Sequence, residues 1–247
     1  MGLLGRLLHF ETIDSTNVEA HRLAGEGERG PLWIVADVQS QGRGRLGRHW
    51  VSEPGNLYAT FLFTLQGSVM VASQIGFVAA LAIRDTAASV LPQAAGPIRI
   101  KWPNDVQLAD AKFAGILPET IVQSGDGRIT VALGMGLNIA HAPDGTPYPV
   151  TALARHGGTI TPRECLTALD RSLAHWLSIW REGQGFAEIR RNWLAHAAGL
   201  GQDFVGLVNQ KEVQGKFADL GDDGAMILIL ADGSRKPIHS GEVQSRR

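Results

Sequence analysis

Residues 32–65 read LWIVADVQSQGRGRLGRHWVSEPGNLYATFLFTL, and their texture changes twice. Leu32 to Val38 is an almost unbroken apolar run, the pattern of a buried strand. Leu57 to Leu65 is a second one. Between them, from Gln39 to Gly55, the chain turns polar and rich in glycine and arginine. A long connection with no periodicity of its own, held between two core strands, is where function concentrates.

Working outward, Leu7 to Ile13 is strand-like. Asp14, Ser15 and Thr16 then offer N-cap chemistry to a helix from Asn17 to Ala24, which Gly25, Gly27 and Gly30 end. Val69 to Leu91 predicts one long helix. It contains Gln74, Arg84 and Asp85, so it reads as a core helix rather than a membrane span. Further strands are expected at Ile98–Trp102, Val106–Ala109, Lys112–Leu117 and Arg128–Ile139, with a tight turn at Ala109-Asp110-Ala111. Helices are expected at Pro162–Arg181 and Phe186–Ala198. In the first of these, Leu166, Leu169, Leu173, Trp176 and Ile179/Trp180 recur at helical spacing, which marks core packing. After Gly199-Leu200-Gly201 four short strands follow, Phe204–Val208, Val213–Leu220, Ala225–Leu230 and Arg235–His239, separated by Asp-Gly turns. These predict two domains, 1–199 and 200–247, the second a small β-barrel.

Composition narrows the function. The chain has 247 residues, 44% hydrophobic and 19% charged, enough for a sizeable core. A net charge of −1 argues against a dedicated nucleic-acid binder. The single cysteine, Cys165, excludes an intramolecular disulfide framework and makes a structural thiolate zinc site an unlikely fit. It reads as a buried helix residue. With no signal sequence in MGLLGRLLHFETID, a cytoplasmic protein with no membrane partner is expected.

Four constellations carry chemistry. In Gly42-Arg43-Gly44-Arg45-Leu46-Gly47-Arg48-His49-Trp50, glycines free the backbone to approach a ligand, and arginines offer bidentate donors to phosphate or carboxylate. Trp50 can stack on a purine. Taken alone, a solvated basic loop explains the same residues. In Lys101-Trp102-Pro103-Asn104-Asp105, followed by Lys112 and Gly115-Ile116-Leu117, Asp105 suits Mg²⁺ and Lys112 can reach into a pocket. The glycines of Gly134-Met135-Gly136-Leu137-Asn138 mark a close backbone approach, and Asn138 can read an adenine edge. Asp14-Ser15-Thr16-Asn17 needs no role beyond capping when taken alone.

Together and in this order, the four motifs resemble the catalytic domain of the biotin–protein ligase family. The resemblance is specific from about Phe10 to Asn138 and weaker beyond. It implies an α+β fold, a mixed sheet flanked by helices similar to class II aminoacyl-tRNA synthetases, with a C-terminal SH3-like barrel. It implies that ATP activates biotin as an adenylate, which passes to a lysine of a biotin carboxyl carrier protein. Ser15, Thr16, Asn17 and Gln39 would hold the ureido head of biotin. Gly42, Arg43, Gly44 and Arg45 would fold over it, with Gly115 in the pocket wall. Lys112 would sit at the activated carboxyl, with Arg43 and Arg45 sharing the catalytic charge. Arg48, Trp50, Lys101, Asn104 and Asn138 would hold ATP, and Asp105 would hold Mg²⁺.

The chain departs from the family in three places. Fewer than about ten residues precede the first core strand, which leaves no room for the winged helix-turn-helix of members that double as repressors. Ser52-Glu53-Pro54-Gly55-Asn56 is shorter than usual. Pro118 falls where a strand often continues, which implies an edge or a bulge. Members of the family also dimerise through a sheet edge, and no residue pattern here decides for or against a homodimer. Two rival activities remain open at this stage: a lipoate or octanoate ligase of the same superfamily, and a non-enzymatic sensor of biotin or nucleotide.

Overall fold

A computed structural model describes residues 2–208, 211–239 and 242–245. Its larger unit is a seven-stranded sheet. The strands in chain order are β1 (Arg6–Ile13), β2 (Leu32–Gln39), β3 (Leu57–Gln66), β4 (Ile98–Lys101), β5 (Asp105–Leu108), β6 (Ala111–Gln123) and β7 (Arg128–Leu137). They lie in the order β1-β2-β3-β7-β6-β5-β4. Only β1 and β2 run parallel, joined through helix α1 (Thr16–Gly25); every other pair is antiparallel.

The central strands β2, β3 and β7 are buried on both faces, and alternation sorts their side chains. Leu32 and Ile34 of β2, Leu62 of β3 and Ala132 of β7 gather under Ala20 and Ala24 of α1. Their neighbours Trp33, Val35, Phe61, Phe63, Val131 and Leu133 point the other way, into a larger core. That core is covered by α3 (Ile75–Val90), α4 (Pro162–Trp180) and α5 (Phe186–Ala195). Burial on both faces is why β2 and β3 read as continuous apolar runs. α4 opens with a complete capping box between Thr161 and Glu164 and a proline at its first turn. It buries the predicted stripe together with Cys165, whose thiol burial pushes up to about 12.

The single helix expected over 69–91 is interrupted. A short α2 (Val69–Ser73), capped by Ser68, stops at Gln74 before α3 begins. Gln74 is buried, and its amide accepts from the Trp180 indole and donates to the Asp222 carbonyl. The break falls where this polar side chain ties three elements together. Pro118 lies within β6 and pairs with Leu133 of β7, while β5 stops pairing at Gly115. The proline therefore sits on a one-sided stretch of the ladder, as an edge position requires.

The second unit is a five-stranded antiparallel sheet: β8 (Asp203–Val208), β9 (Lys211–Leu220), β10 (Met226–Ile229), β11 (Arg235–Ile238) and β12 (Glu242–Ser245). Its order is β11-β10-β9-β8-β12. The expected barrel is corrected here: among the described residues β11 and β12 do not pair, so the sheet stays open. The reason is that its apolar face is covered from outside. Phe204, Phe217, Met226, Leu228 and Ile238 belong to the same continuous core as Phe77 and Trp193. The ring of Trp193 meets Phe217 at 6.5 Å and Phe77 at 5.6 Å between centroids. A sheet whose apolar face is sealed by helices need not close on itself.

Candidate active site

The site begins with glycines. Gly115 of β6 stands opposite Gly136 of β7 in the ladder. The indole of Trp50 lies across them: a Cβ at Gly136 would come within 2.6 Å of Trp50 Cε2, and one at Gly115 within 2.9 Å of Cζ3. Two residues back on the same face of β7, a Cβ at Gly134 would come within 2.3 Å of Asn17 Oδ1. The glycines make the floor of a groove. Its wall at one end is Ser15, Thr16, Asn17 and Gln39, and at the other the 43–50 loop with Asn104, Asp105 and Lys112. A larger open cleft continues from it past Asn104 and Lys101 to Arg99 and residues 145–149.

Lys112 owes its position to a β-bulge. Asp105 pairs with Gly115 and Val106 with Ala114, but Gln107 pairs with Lys112, so Phe113 is the extra residue. In a regular strand residues 112 and 115 would face opposite ways. The bulge brings Lys112 onto the face that carries Gly115 and Asp105. Its Nζ lies 2.7 Å from Asp105 Oδ1, 5.2 Å from the Trp50 ring centre and 5.6 Å from that of Tyr148. Its backbone is pinned too: Lys112 N–H donates to Pro149 O at 2.9 Å, and Lys112 O accepts from Thr151 N–H at 2.9 Å. This is a held cation, not a surface lysine.

The 43–50 loop is folded back on itself. Gly44 N–H donates to Arg48 O, Trp50 N–H donates to Gly42 O, and Arg43 bridges His49 as a short antiparallel pair. Leu46 and Gly47 take left-handed backbone at its tip, with φ of 57° and 73°. Gly42 permits the closure, since a Cβ there would meet Trp50 O at 2.4 Å. Arg45 Nη1 donates to Asn104 Oδ1 at 3.3 Å. Burial pushes the Arg45 guanidinium below the usual arginine range; Asp105 opposes that shift and Arg48 adds to it. Arginine remains charged nonetheless. Asn104 is stitched to β6 by donating to Ile116 O and accepting from Ile116 N–H.

The opposite end is a buried polar network. Gln39 Oε1 accepts from Thr16 N–H at 2.9 Å and lies 3.1 Å from Thr16 Oγ1. Gln39 Nε2 donates to Ser52 Oγ, which donates to Trp50 O. Thr60 Oγ1 lies 2.8 Å from Thr16 Oγ1 and 2.6 Å from Asn17 Oδ1. Asn17 Nδ2 donates to Leu117 O and Glu119 Oε2. Ser15 occupies the N-cap position of α1, yet its side chain makes no cap hydrogen bond. The capping explanation is thereby corrected for Ser15, Thr16 and Asn17, which are buried in the groove wall, while Asp14 pairs with Arg22.

Of the residues singled out in the sequence, Ser15, Thr16, Asn17, Gln39, Arg43, Gly44, Arg45, Arg48, Trp50, Asn104, Asp105, Lys112 and Gly115 line the groove. Lys101 lines the adjoining cleft. Asn138 stands apart from them. It is buried, its Nδ2 donates to Thr151 O, and it is not among the residues that line either cavity. Sequence reasoning missed Thr60, Ser52, Glu119 and Tyr148, which carry no motif signal. It also missed that Trp102 points away from the site: its indole donates to Gly224 O of the second sheet at 3.1 Å.

A groove with buried polar groups at one end and guanidinium and ammonium groups at the other, opening into a cationic cleft, is the architecture of an enzyme that joins a carboxylate to a nucleotide phosphate. The chain belongs to the biotin/lipoate A/B protein ligase family, whose sequence profile matches residues 9–138; the biotin protein ligase C-terminal domain matches residues 204–246. It is 42% identical over 239 residues to the biotin--[acetyl-CoA-carboxylase] ligase of Paracoccus denitrificans, covering 93% of this chain and 96% of that one. It is 30% identical over 246 residues to the bifunctional ligase/repressor BirA of Escherichia coli K12, covering 98% of this chain and 74% of that one. Among solved structures it superposes on a biotin protein ligase from Aquifex aeolicus in complex with biotin and ATP, with a TM-score of 0.79, 27% identity, and coverage of 98% and 99% of the two chains.

Proposed function

We propose that this protein is a biotin--[biotin carboxyl-carrier protein] ligase, which activates biotin with ATP and transfers it to a lysine of a carrier protein. The observation that carries the reading is the two-ended groove: a buried polar end suited to a neutral, hydrogen-bonding head, and Lys112 with Arg45 at the other end for the carboxylate. The 42% identity to a biotin--[acetyl-CoA-carboxylase] ligase and the likeness to a biotin- and ATP-bound structure support it.

In the first half-reaction a biotin carboxylate oxygen attacks the α-phosphorus of ATP, and the bond to the departing pyrophosphate breaks. Two anions must meet, and charge grows on the phosphoryl oxygens. Lys112, Arg43 and Arg45 neutralise that approach as fixed charges. Arg48, Lys101 and Asn104 lie toward the larger cleft, where the polyphosphate runs, and Trp50 faces the adenine. Mg²⁺ supplies charge neutralisation on the phosphates. Asp105 and Asp110 are the carboxylates lining the two cavities, and no cluster of three or more ligating side chains occurs among the described residues. One carboxylate completed by phosphate oxygens and water suits Mg²⁺, and Asp105 would hold it. The adenylate is a mixed anhydride that water destroys, so the 43–50 loop shields it. In the second half-reaction the carrier lysine amine attacks the activated carbonyl, loses a proton, and AMP leaves; the enzyme needs to position the amine.

The test is to mix the purified protein with ATP, Mg²⁺ and either biotin or lipoate, and to measure pyrophosphate release and the adenylate by mass spectrometry. Biotinyl-adenylate from the biotin tube alone is expected. Adenylate from lipoate alone would move the substrate to the other branch of the family, and none from either would leave a binding protein.

A further inference from the structure

Both feet of the 43–50 loop stand on one side chain. On the entry side the chain is pinned up to residue 41: Ser40 N–H donates to Ile13 O at 2.9 Å, and Gln41 N–H to Asp14 O at 2.8 Å. On the exit side it is pinned again at residue 53, where Glu53 O accepts from the hydroxyl of buried Tyr58 at 2.8 Å. Between these points the chain leaves and returns through Gly42, Trp50 and Ser52, and the three meet at the Gln39 amide. Gln39 is the last residue of β2, and its Oε1 is held by Thr16 N–H. Its Nε2 is then the donor, and it donates to Ser52 Oγ at 3.0 Å. Ser52 gives its own proton to Trp50 O at 3.0 Å, and Trp50 N–H closes the circuit on Gly42 O at 2.9 Å. The junction has no spare room: a Cβ at Gly42 would come within 2.4 Å of Trp50 O, 2.7 Å of Ser52 Oγ and 3.1 Å of Gln39 Nε2. Ser52 is 8% exposed and is not among the residues that line the groove.

We propose that Ser52 is a positioning residue: its hydroxyl straps both feet of the loop to Gln39, so that the buried end of the groove also fixes the closed loop. The inference rests on the proposed adenylate chemistry and deepens it by naming what keeps the shield shut. The Ser52 hydroxyl is acceptor and donor at once, so its removal breaks two bonds and leaves Gln39 Nε2 and Trp50 O without these partners. The Trp50 peptide matters because it aims the indole across Gly115 and Gly136, 5.2 Å from Lys112 Nζ. The same closure holds Arg43 and Arg45 in the groove wall. Gln39 keeps its bond to Thr16 when Ser52 is lost, so the polar end stays in place while the loop is freed. With the loop open, water attacks the acyl carbonyl of the adenylate, and the carboxylate and AMP are released.

The experiment compares Ser52→Ala and Ser52→Thr with the wild type in two assays. In the first, the ligand-free protein is digested with trypsin and cleavage after Arg43, Arg45 and Arg48 is timed. A protease needs an extended segment, so cleavage follows the population of open loop. Ser52→Ala should be cut there about tenfold faster, the order expected for a lost buried hydrogen bond, with cleavage outside residues 42–52 unchanged. In the second assay, enzyme-bound adenylate is formed from biotin and ATP, and its loss to water is followed. It should be lost about tenfold faster from Ser52→Ala. Ser52→Thr keeps the hydroxyl and should bring both rates back to within about threefold of the wild type. Wild-type rates in Ser52→Ala overturn the inference, as does faster cleavage throughout the chain, which would mean general loosening. Faster cleavage of the loop beside an unchanged adenylate lifetime overturns the strap's part in shielding, and a threonine variant that behaves like alanine overturns the part of the hydroxyl. No adenylate even from the wild type overturns the functional reading instead, and the cleavage rates then decide the strap by themselves.

Discussion

The two ends of the groove are built in opposite ways. The polar end is buried and cross-linked: Thr16, Asn17, Gln39, Ser52 and Thr60 are each under 10% exposed and bound to one another. The loop end is held by backbone bonds together with contacts that include Arg45 to Asn104, Ser52 Oγ to Trp50 O and Lys112 over the Trp50 ring, and its tip residue Leu46 is 75% exposed. The first end has its hydrogen bonds and rotamers set before a ligand arrives, which suits selection. The second carries its charges on a loop with an exposed tip, the kind of segment that in enzymes closes over substrates and excludes water. Lys112 lies where the two meet, pinned by its backbone but reaching toward the loop.

The largest effect is expected there. Lys112→Ala removes a cation fixed by both the sheet and the aromatic rings of Trp50 and Tyr148. It also leaves Asp105 unpaired beside the phosphates. Adenylate formation should fall about 10²–10³-fold, the usual cost of deleting one preorganised charge-stabilising group. Isotope exchange between pyrophosphate and ATP in the presence of biotin reads this directly. Normal exchange would mean that the loop arginines suffice and that Lys112 serves only to anchor the 145–149 segment.

Two glycines sharpen the comparison, because they stand two residues apart on one face of β7 and abut different ends. Gly134→Ala drives a Cβ into Asn17, which its partners hold in place. Overpacking against a fixed neighbour should cost about 2 kcal/mol, a fall in Tm of about 4–8 °C, together with a raised KM for biotin. Gly136→Ala drives a Cβ into Trp50, which sits on a loop able to yield. Its Tm should fall by less than about 3 °C, while the adenylate is lost to water faster because the loop no longer seats. Scanning calorimetry with adenylate lifetimes on both variants tests the contrast. Equal stability losses would mean that the loop is as rigid as the polar end.

What the sequence made legible follows the same division. The loop end becomes legible once its arginines and glycines are taken together with the Lys101–Asp105 and Lys112–Leu117 motifs, and 13 of the residues assigned to binding or catalysis, drawn from both ends, line the groove. At the polar end Ser15, Thr16, Asn17 and Gln39 were legible only through the resemblance, and the residues behind them were not. Thr60 sits within LYATFLFTLQ, where a β-branched residue in an apolar strand looks like an ordinary strand former. Glu119 looks like a surface charge on a strand. Lys112 was visible as a residue type, but its facing was not, because a one-residue bulge inverts the alternation that sequence reading relies on. The open C-terminal sheet escaped because hairpin spacing reveals strands but not what covers their apolar face.

The smallest effect tests the boundary between structure and binding at a single hydroxyl. Ser15 holds the N-cap position of α1, and a serine that caps is worth about 1 kcal/mol over alanine. Here its backbone is extended at φ −161° and its side chain makes no cap bond, while Glu19 N–H is already satisfied by Ser15 O. Ser15→Ala should therefore cost less than about 0.5 kcal/mol, a change in Tm of no more than roughly 2 °C. Ser15 is nevertheless 2% exposed and lines the groove wall beside Thr16. Its removal takes a hydrogen-bonding group from the ligand rather than from the helix, so KM for biotin should rise severalfold with the fold unharmed. A variant that loses the full capping energy and binds biotin normally would return Ser15 to the helix, and the polar end would then begin at Thr16.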